Sequence, residues 1–232
     1  MAAELAGTDP VVYDLTMRSA AGPGRQKQPT FTGAARRAQI VAAAIDTIAE
    51  VGYGQASLAR IAQRVGISKG VIVYHFDSKE ELVKAVVVEV LSKARDYIVP
   101  RIEAASGGRG KLCAYIDSNI GFMGEYRSHL IAVAEIARGA RDPAGNRTID
   151  AYSLESGTAA LAQLLGSFQA SGEFREDFDS RVMAETIRAA IDAIPRRLAA
   201  KPDLDIDVYR RELTGLFDVA TRSETTRAGR RA

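Results

Sequence analysis

From Arg36 onward the chain takes up a helical rhythm. Ile40, Val41, Ala44, Ile45 and Ile48 recur at helical spacing and form one apolar stripe until Val51 and Gly52 stop it. Ser57 then caps a short helix with Leu58, Ile61, Ala62 and Val65 on one side. Gly66 breaks that helix, Ser68 caps the next, and Ile72 and Phe76 face inward. Ser78-Lys79-Glu80-Glu81 reads as a capping box, in which the Ser hydroxyl and the Glu carboxylate each take an orphan amide. It opens a long helix to about Val99, which Pro100 ends or kinks. After a loop at Ser106–Gly110, helical patterns follow at 111–125, 127–139, 147–170, 179–199 and 205–221. The breaks are Arg141–Gly145, Ser171-Gly172 and Lys201-Pro202, and no strand alternation or internal repeat interrupts them.

The pattern therefore predicts an all-α fold. Residues 1–33 form a flexible N-terminal extension rich in Gly, Pro, Thr and Ala, and residues 34–78 a three-helix head. Residues 79–222 form a helical domain, and 223–232 a flexible tail. Composition agrees: hydrophobic residues make up 47% of the 232, aromatics only 6%, and Ala with Ile, Val and Leu dominates. Such a mixture suits close-packed helices.

Charge changes the picture. The net +2 hides a basic head: residues 25–79 carry eight Lys/Arg against Asp46, Glu50 and Asp77, a net +5. Residues 80–221 carry 18 basic and 22 acidic groups. Positive charge thus gathers where a phosphate backbone would be met.

The head has the offsets of a helix-turn-helix between Ser57 and Phe76. Two short helices that cross steeply need a small residue at their contact, which Ala62 supplies. The tight turn favours a residue comfortable at positive φ, which Gly66 supplies. Ile61, Val65, Ile67 and Ile72 plug the corner, and Lys69, Gly70 and Val73 project outward from the first turns of the second helix. Ser57, Ser68, Lys69, Gly70, Val71, Val73, Tyr74, His75 and Lys79 are the candidate DNA contacts. Tyr74 either faces DNA or roofs the small core, and His75 either meets phosphate or packs. Lys79 stands at a helix N-terminus, where the backbone dipole disfavours a cation unless an external anion is present.

The stretch Ile40 to Leu82, and above all GISKGVIVYHFDSKEEL, resembles the TetR family of bacterial repressors. That resemblance implies a three-helix DNA-binding head, a linking fourth helix and a divergent helical domain that dimerises and often binds a small molecule. It places the recognition helix at about Ser68–Tyr74. It assigns Lys69, Tyr74, His75 and Lys79 mainly to phosphates, and Gly70 and position 73 to base edges. Many relatives carry Tyr at the position of Val73, so readout there would be apolar, against a thymine methyl.

Farther along, Phe122, Met123, Tyr126, His129, Leu130, Tyr152, Glu155, Leu164 and Phe168 either line an effector cavity or are plain core. Val182, Met183, Ile187, Ala190, Ile191 and Ile194 form one stripe, and Leu213, Leu216, Phe217 and Ala220 another. The two helices that carry them suit a four-helix homodimer interface. No HExxH, Walker loop, GxSxG or GxGxxG is present, and Cys113 reads as a small buried apolar side chain. Two histidines without a ligand cluster hold no metal, and no cofactor is implied. Without a long apolar run or a leader, the chain reads as cytoplasmic with no membrane partner. The expected protein is a repressor that binds a palindromic double-stranded operator as a homodimer and is released by a small apolar effector. A constitutive regulator and a helical protein-interaction module are the alternatives.

Overall fold

The computed structural model describes residues 31–140, 152–201 and 203–223. Among them the chain is helical, apart from loops and one isolated antiparallel bridge between Phe174 and Arg222. The extension up to residue 30, the loop at 141–145 and the tail from 224 lie outside the described residues.

The chain divides into two compact units. The first holds the described residues 31–93 and 126–140. Its helices are α1 (Phe31–Gln55), α2 (Leu58–Val65), α3 (Lys69–His75), the first part of α4 (Lys79–Glu103) and α6 (Arg127–Gly139). The expected stripe is real: Ile40, Val41, Ala44, Ile45 and Ile48 are all buried. Helix α1 is interrupted at Gly52 (φ +77°), where the apolar period stops. It begins at Phe31, so residues 31–33 are helical and not part of an extension. Helix α6 lies along α1 and buries Ala132 and Ile136.

The second unit holds the described residues 94–125, 152–201 and 203–223. It contains the rest of α4, with α5 (Gly107–Glu125), α7 (Tyr152–Ala170), α8 (Ser180–Asp192), α9 (Ile194–Ala200) and α10 (Ile206–Thr221). The helical domain expected to begin at residue 79 does not coincide with this division, since the contacts group α6 and the start of α4 with the head.

Helix α4 runs briefly past Pro100 to Glu103, one of the two outcomes expected there. Two boundaries differ from expectation. Helix α5 starts at Gly107, because the Glu173 carboxylate accepts the Gly108 amide (2.6 Å) and stabilises a glycine-rich first turn. The span 179–199 is two helices meeting at Ala193, with Pro195 in the first turn of α9, where its missing N–H costs little.

Charged side chains knit this second unit. Arg210 on α10 grips Asp117 on α5 with two bonds (3.0 and 2.8 Å). Arg109 does the same to Asp218 (2.5 and 2.9 Å), which also accepts from Arg222. Arg188 reaches from α8 to Tyr115, Asn119 and Asp192. Fork geometry of this kind favours Arg over Lys.

Candidate nucleic-acid interface

Helices α2 and α3 are too short to hold their shape alone, so local caps and a shared core must fix them. The Ser57 hydroxyl accepts the Arg60 amide (3.2 Å) and starts α2. Gly66 ends it in the left-handed region (φ +74°), and its amide returns to the Ala62 and Gln63 carbonyls. A side chain at that φ would be strained, so glycine makes the turn. Ile61 and Ala62 from α2 and Ile72 from α3 are buried at the crossing, and Phe76 closes it from below. Val65 and Ile67 are only partly covered.

With Ile72 and Phe76 fixed inside, α3 turns its other face to solvent. Val73 is 45% exposed and Tyr74 76%, and Ser68, Lys69 and Gly70 are exposed beside them, with Val71 half-buried. Lys69 makes no ion pair among the described residues. Ser68 stands at the N-cap with extended backbone, but its hydroxyl makes no capping bond, contrary to expectation. The first amides of α3 are therefore not capped by it. Tyr74 does not roof the core; its ring stands edge-on to His75 (5.2 Å).

Lys79 differs most from expectation. Its ammonium donates to the Tyr53 carbonyl (2.7 Å) and lies 4.2 Å from the Tyr53 ring centroid. Burial lowers its pKa, opposed by Glu80. In this structure the cation ties the start of α4 to the end of α1, where a neutral carbonyl and a ring face receive it. The capping box is also shifted: Ser78 accepts the Glu81 amide (3.1 Å), but Glu81 takes the amide of Asp77 (2.8 Å) instead of that of Ser78.

Pattern reading counted Arg37 only among the basic groups of the head that would meet a phosphate backbone, and missed its contacts within the head. It is partly buried, its guanidinium lies 3.9 Å from the Phe76 ring centroid, and it donates to the His75 carbonyl and to Glu81 (3.0 Å). The only sequence trace is a basic residue three positions before Ile40, on the flank of the apolar stripe.

The proposed effector residues are divided between the two units. Phe122, Met123, Leu164 and Phe168 belong to the second unit; Tyr126, His129 and Leu130 belong to the first. The side chains of Tyr152 and Glu155 lie outside the described residues. Phe122, Met123 and Leu164 are buried core. The Phe168 ring lies against Gly108, where a Cβ would come within 2.5 Å of it, and meets Phe174 edge-on (5.7 Å). Two open clefts among the described residues lie elsewhere. One, of about 300 Å³, is lined by Thr47, Glu50, Val51, Arg60, Gln63 and Arg64. The other, of about 190 Å³, is lined by Arg109, Glu173, Phe174, Asp218 and Arg222.

The dimer stripes need correction. Ile187, Ile191, Ile194 and Phe217 are buried inside the chain's own second unit, so they cannot face a partner. Met183, Leu213 and Ala220 are half-buried. The outward apolar groups on these helices are Val182 and Leu216, as expected, and Val208 and Val219, which were not among the candidates. Burial raises the Cys113 thiol pKa, against a reactive role. Among the described residues no helix is long and apolar enough to cross a membrane, and no His/Cys/Asp/Glu group could hold a metal.

A family model of bacterial regulatory proteins, the TetR family, matches residues 40–86. The HTH-type transcriptional regulator BetI of Escherichia coli is 36% identical over 86 residues, which is 36% of this chain and 44% of that protein. The chain thus spans less than half the length of the curated relatives it matches. A solved protein from Saccharomonospora viridis, in complex with choline, superposes with a TM-score of 0.68 at 23% identity, covering 82% of this chain and 99% of that one. The transcriptional regulator FadR from Bacillus subtilis, in complex with stearoyl-CoA, gives 0.64 at 21%, covering 77% and 96%. These two likenesses carry the fold beyond the head, through most of the chain.

Proposed function

We propose that this chain is a regulator of the TetR family, a repressor that binds a palindromic duplex as a homodimer. The outward face of α3 carries the reading: Val73 and Tyr74 stay exposed on a short helix that Ile72 and Phe76 fix from the other side. An exposed apolar and aromatic face beside Lys69, which makes no ion pair among the described residues, suits a groove edged by phosphates. Two heads are needed because one recognition helix reads few base pairs. The outward Val182 on α8, with Leu216 and Val219 on α10, is the apolar surface offered to a second copy.

The test is binding to duplex DNA across a salt series, combined with sedimentation. Affinity should fall steeply with salt as phosphates are neutralised. Leu216→Asp should yield monomers and weaken binding to a two-half-site duplex, while a half-site duplex is bound as before. Salt-independent binding, or a dimer unaffected by Leu216→Asp, would refute the corresponding half of the reading.

Release by a small apolar effector completes the proposal, and its support is the likeness in fold to proteins solved with choline and with stearoyl-CoA. One observation favours a regulator without an effector: among the described residues, neither of the two clefts above is lined by the candidate pocket residues. A thermal-shift series with acyl-CoAs and quaternary amines decides between them, since a ligand of the native state raises its apparent stability. A stabilising compound that also displaces the duplex supports the effector.

A further inference from the structure

We infer that Arg37 is a positioning residue for DNA reading: it fixes the orientation of α3 by gripping the end of that helix without itself meeting DNA. This rests on the DNA-binding reading above. A seven-residue helix has no orientation of its own, and the hydroxyl of Ser68 does not cap its N-terminal end. Ile72 and Phe76 hold one side, but apolar contacts are non-directional and leave rotation and tilt poorly specified.

Arg37 supplies the missing direction. One guanidinium nitrogen donates to the carbonyl of His75, the last residue of α3. Such carbonyls lack a partner within their helix, and a cation beside them also answers the negative end of the dipole. The other nitrogen binds Glu81 on α4 (3.0 Å). The second oxygen of Glu81 takes the amide of Asp77 (2.8 Å), so the link from α3 to α4 is held at both ends. The flat face of the guanidinium lies over the Phe76 ring (3.9 Å). A planar fork does all three things at once; the point charge of Lys cannot. The residues that would read the groove, Val73 and Tyr74, lie on the last turn that this grip controls.

A phosphate contact and a positioning role predict opposite results from the same variants. A 30-base-pair duplex would be enriched from a randomised pool with the wild-type chain, and a scrambled duplex of equal length would serve as control. Arg37→Lys keeps the charge but loses the fork, and should weaken the enriched duplex roughly tenfold, the scale of one charge-assisted hydrogen bond. It should leave the scrambled duplex and the salt slope unchanged. Arg37→Gln should do the same, with a larger loss on the enriched duplex alone. Equal losses on both duplexes, with a shallower salt slope for Arg37→Gln, would make Arg37 a phosphate contact and overturn the inference. So would Arg37→Lys matching the wild type on both.

Arg37→Lys also keeps the test open if Arg37→Gln fails to fold. Without DNA, its amides at 73–77 should exchange hydrogen faster than in the wild type, while those of α1 do not. Unchanged protection overturns the inference. A wild type that enriches no duplex refutes the DNA-binding reading itself, and the positioning role falls with it.

Discussion

The face of α3 and the interior of the second unit treat polar and apolar groups in opposite ways. On α3, Lys69 has no ion pair among the described residues, the Ser68 hydroxyl makes no capping bond, and Val73 and Tyr74 stand in solvent. In the second unit, arginines are paired: Arg109 and Arg222 with Asp218, Arg210 with Asp117 and Asp207, Arg188 with Asp192. Groups satisfied inside the protein fix a scaffold, whereas groups left open await a partner. The difference supports the DNA surface proposed for the smaller unit and gives the paired arginines of the larger unit a structural part.

Breaking the support beneath α3 should have the largest effect. Phe76→Ala removes a fully buried ring and should cost about 3–5 kcal/mol in urea unfolding followed by circular dichroism. Duplex binding should be lost while most helix signal remains, because the cavity lies in the head. A loss below about 1 kcal/mol would mean that the site collapses freely and α3 is not anchored there.

Asp218→Asn tests the other side of the comparison. It leaves Arg109 and Arg222 facing a neutral amide, and should cost about 1–3 kcal/mol, less than a fully buried pair because Arg109 is half exposed. Duplex affinity should not change. Burial pushes the Asp218 carboxyl up, but the hydrogen bonds and charges of Arg109 and Arg222 outweigh it and hold the pKa below its ordinary 3.8. A depressed carboxylate contributes fully above the unfolded value and loses its contribution as pH falls through the folded one. The gap between wild type and Asp218→Asn should therefore narrow below about pH 3.8. A gap that persists in stronger acid would mean that packing, not charge, carries the effect.

The contrast also explains what the sequence could and could not show. Everything legible was local. The Ile40–Ile48 stripe, the Ala62–Gly66 turn and the inward Ile72 and Phe76 follow from periodicity and backbone preference within a few residues. What stayed hidden depends on which helices meet. The stripe of Ile187, Ile191 and Ile194 has the period of an exposed interface and of a core helix alike, and only packing assigns it to the core. Lys79 lies 26 residues from the Tyr53 carbonyl that holds it, and Arg37 lies 44 from Glu81; no spacing rule reaches so far. The aromatic and methionine set at Phe122–Phe168 was ambiguous for the same reason, since a cavity is a property of neighbours and not of a period.

Two serines sharpen the comparison at smaller scale. Ser57→Ala removes the one capping bond that starts α2 and should cost about 1 kcal/mol of stability. Ser68→Ala removes a hydroxyl that caps nothing and should leave urea stability within about 0.5 kcal/mol of wild type. It should still weaken duplex binding, because the open N-terminal turn of α3 is where a phosphate oxygen would be received. Equal stability losses for the two would mean that Ser68 caps α3 in solution.

The smallest effect separates the two units by pH. Burial lowers the His129 pKa below 6.5, and nearby Lys93 adds to it, while Asp46 and Glu89 pull the other way without prevailing. Its ring stands edge-on to Tyr126 (5.3 Å), and Nδ1 lies 3.3 Å from the Ser128 hydroxyl. A histidine with a depressed folded pKa takes up its proton more readily when unfolded. Its contribution is therefore complete above 6.5 and is lost as pH falls from there through the folded value. His129→Phe keeps a ring against Tyr126 but cannot titrate. The stability of wild type relative to His129→Phe should fall as pH drops below 6.5, with no matching change above about pH 7. A difference independent of pH would show that Asp46 and Glu89 hold the charged ring as well as the neutral one. His129 lies in the head's unit and Asp218 in the other, and their contributions begin to fail from 6.5 downward and from 3.8 downward respectively. Mild acid should thus loosen the unit that carries α3 while the arginine–carboxylate pairs of the second unit are still intact, and duplex binding should fail before most of the helix signal does.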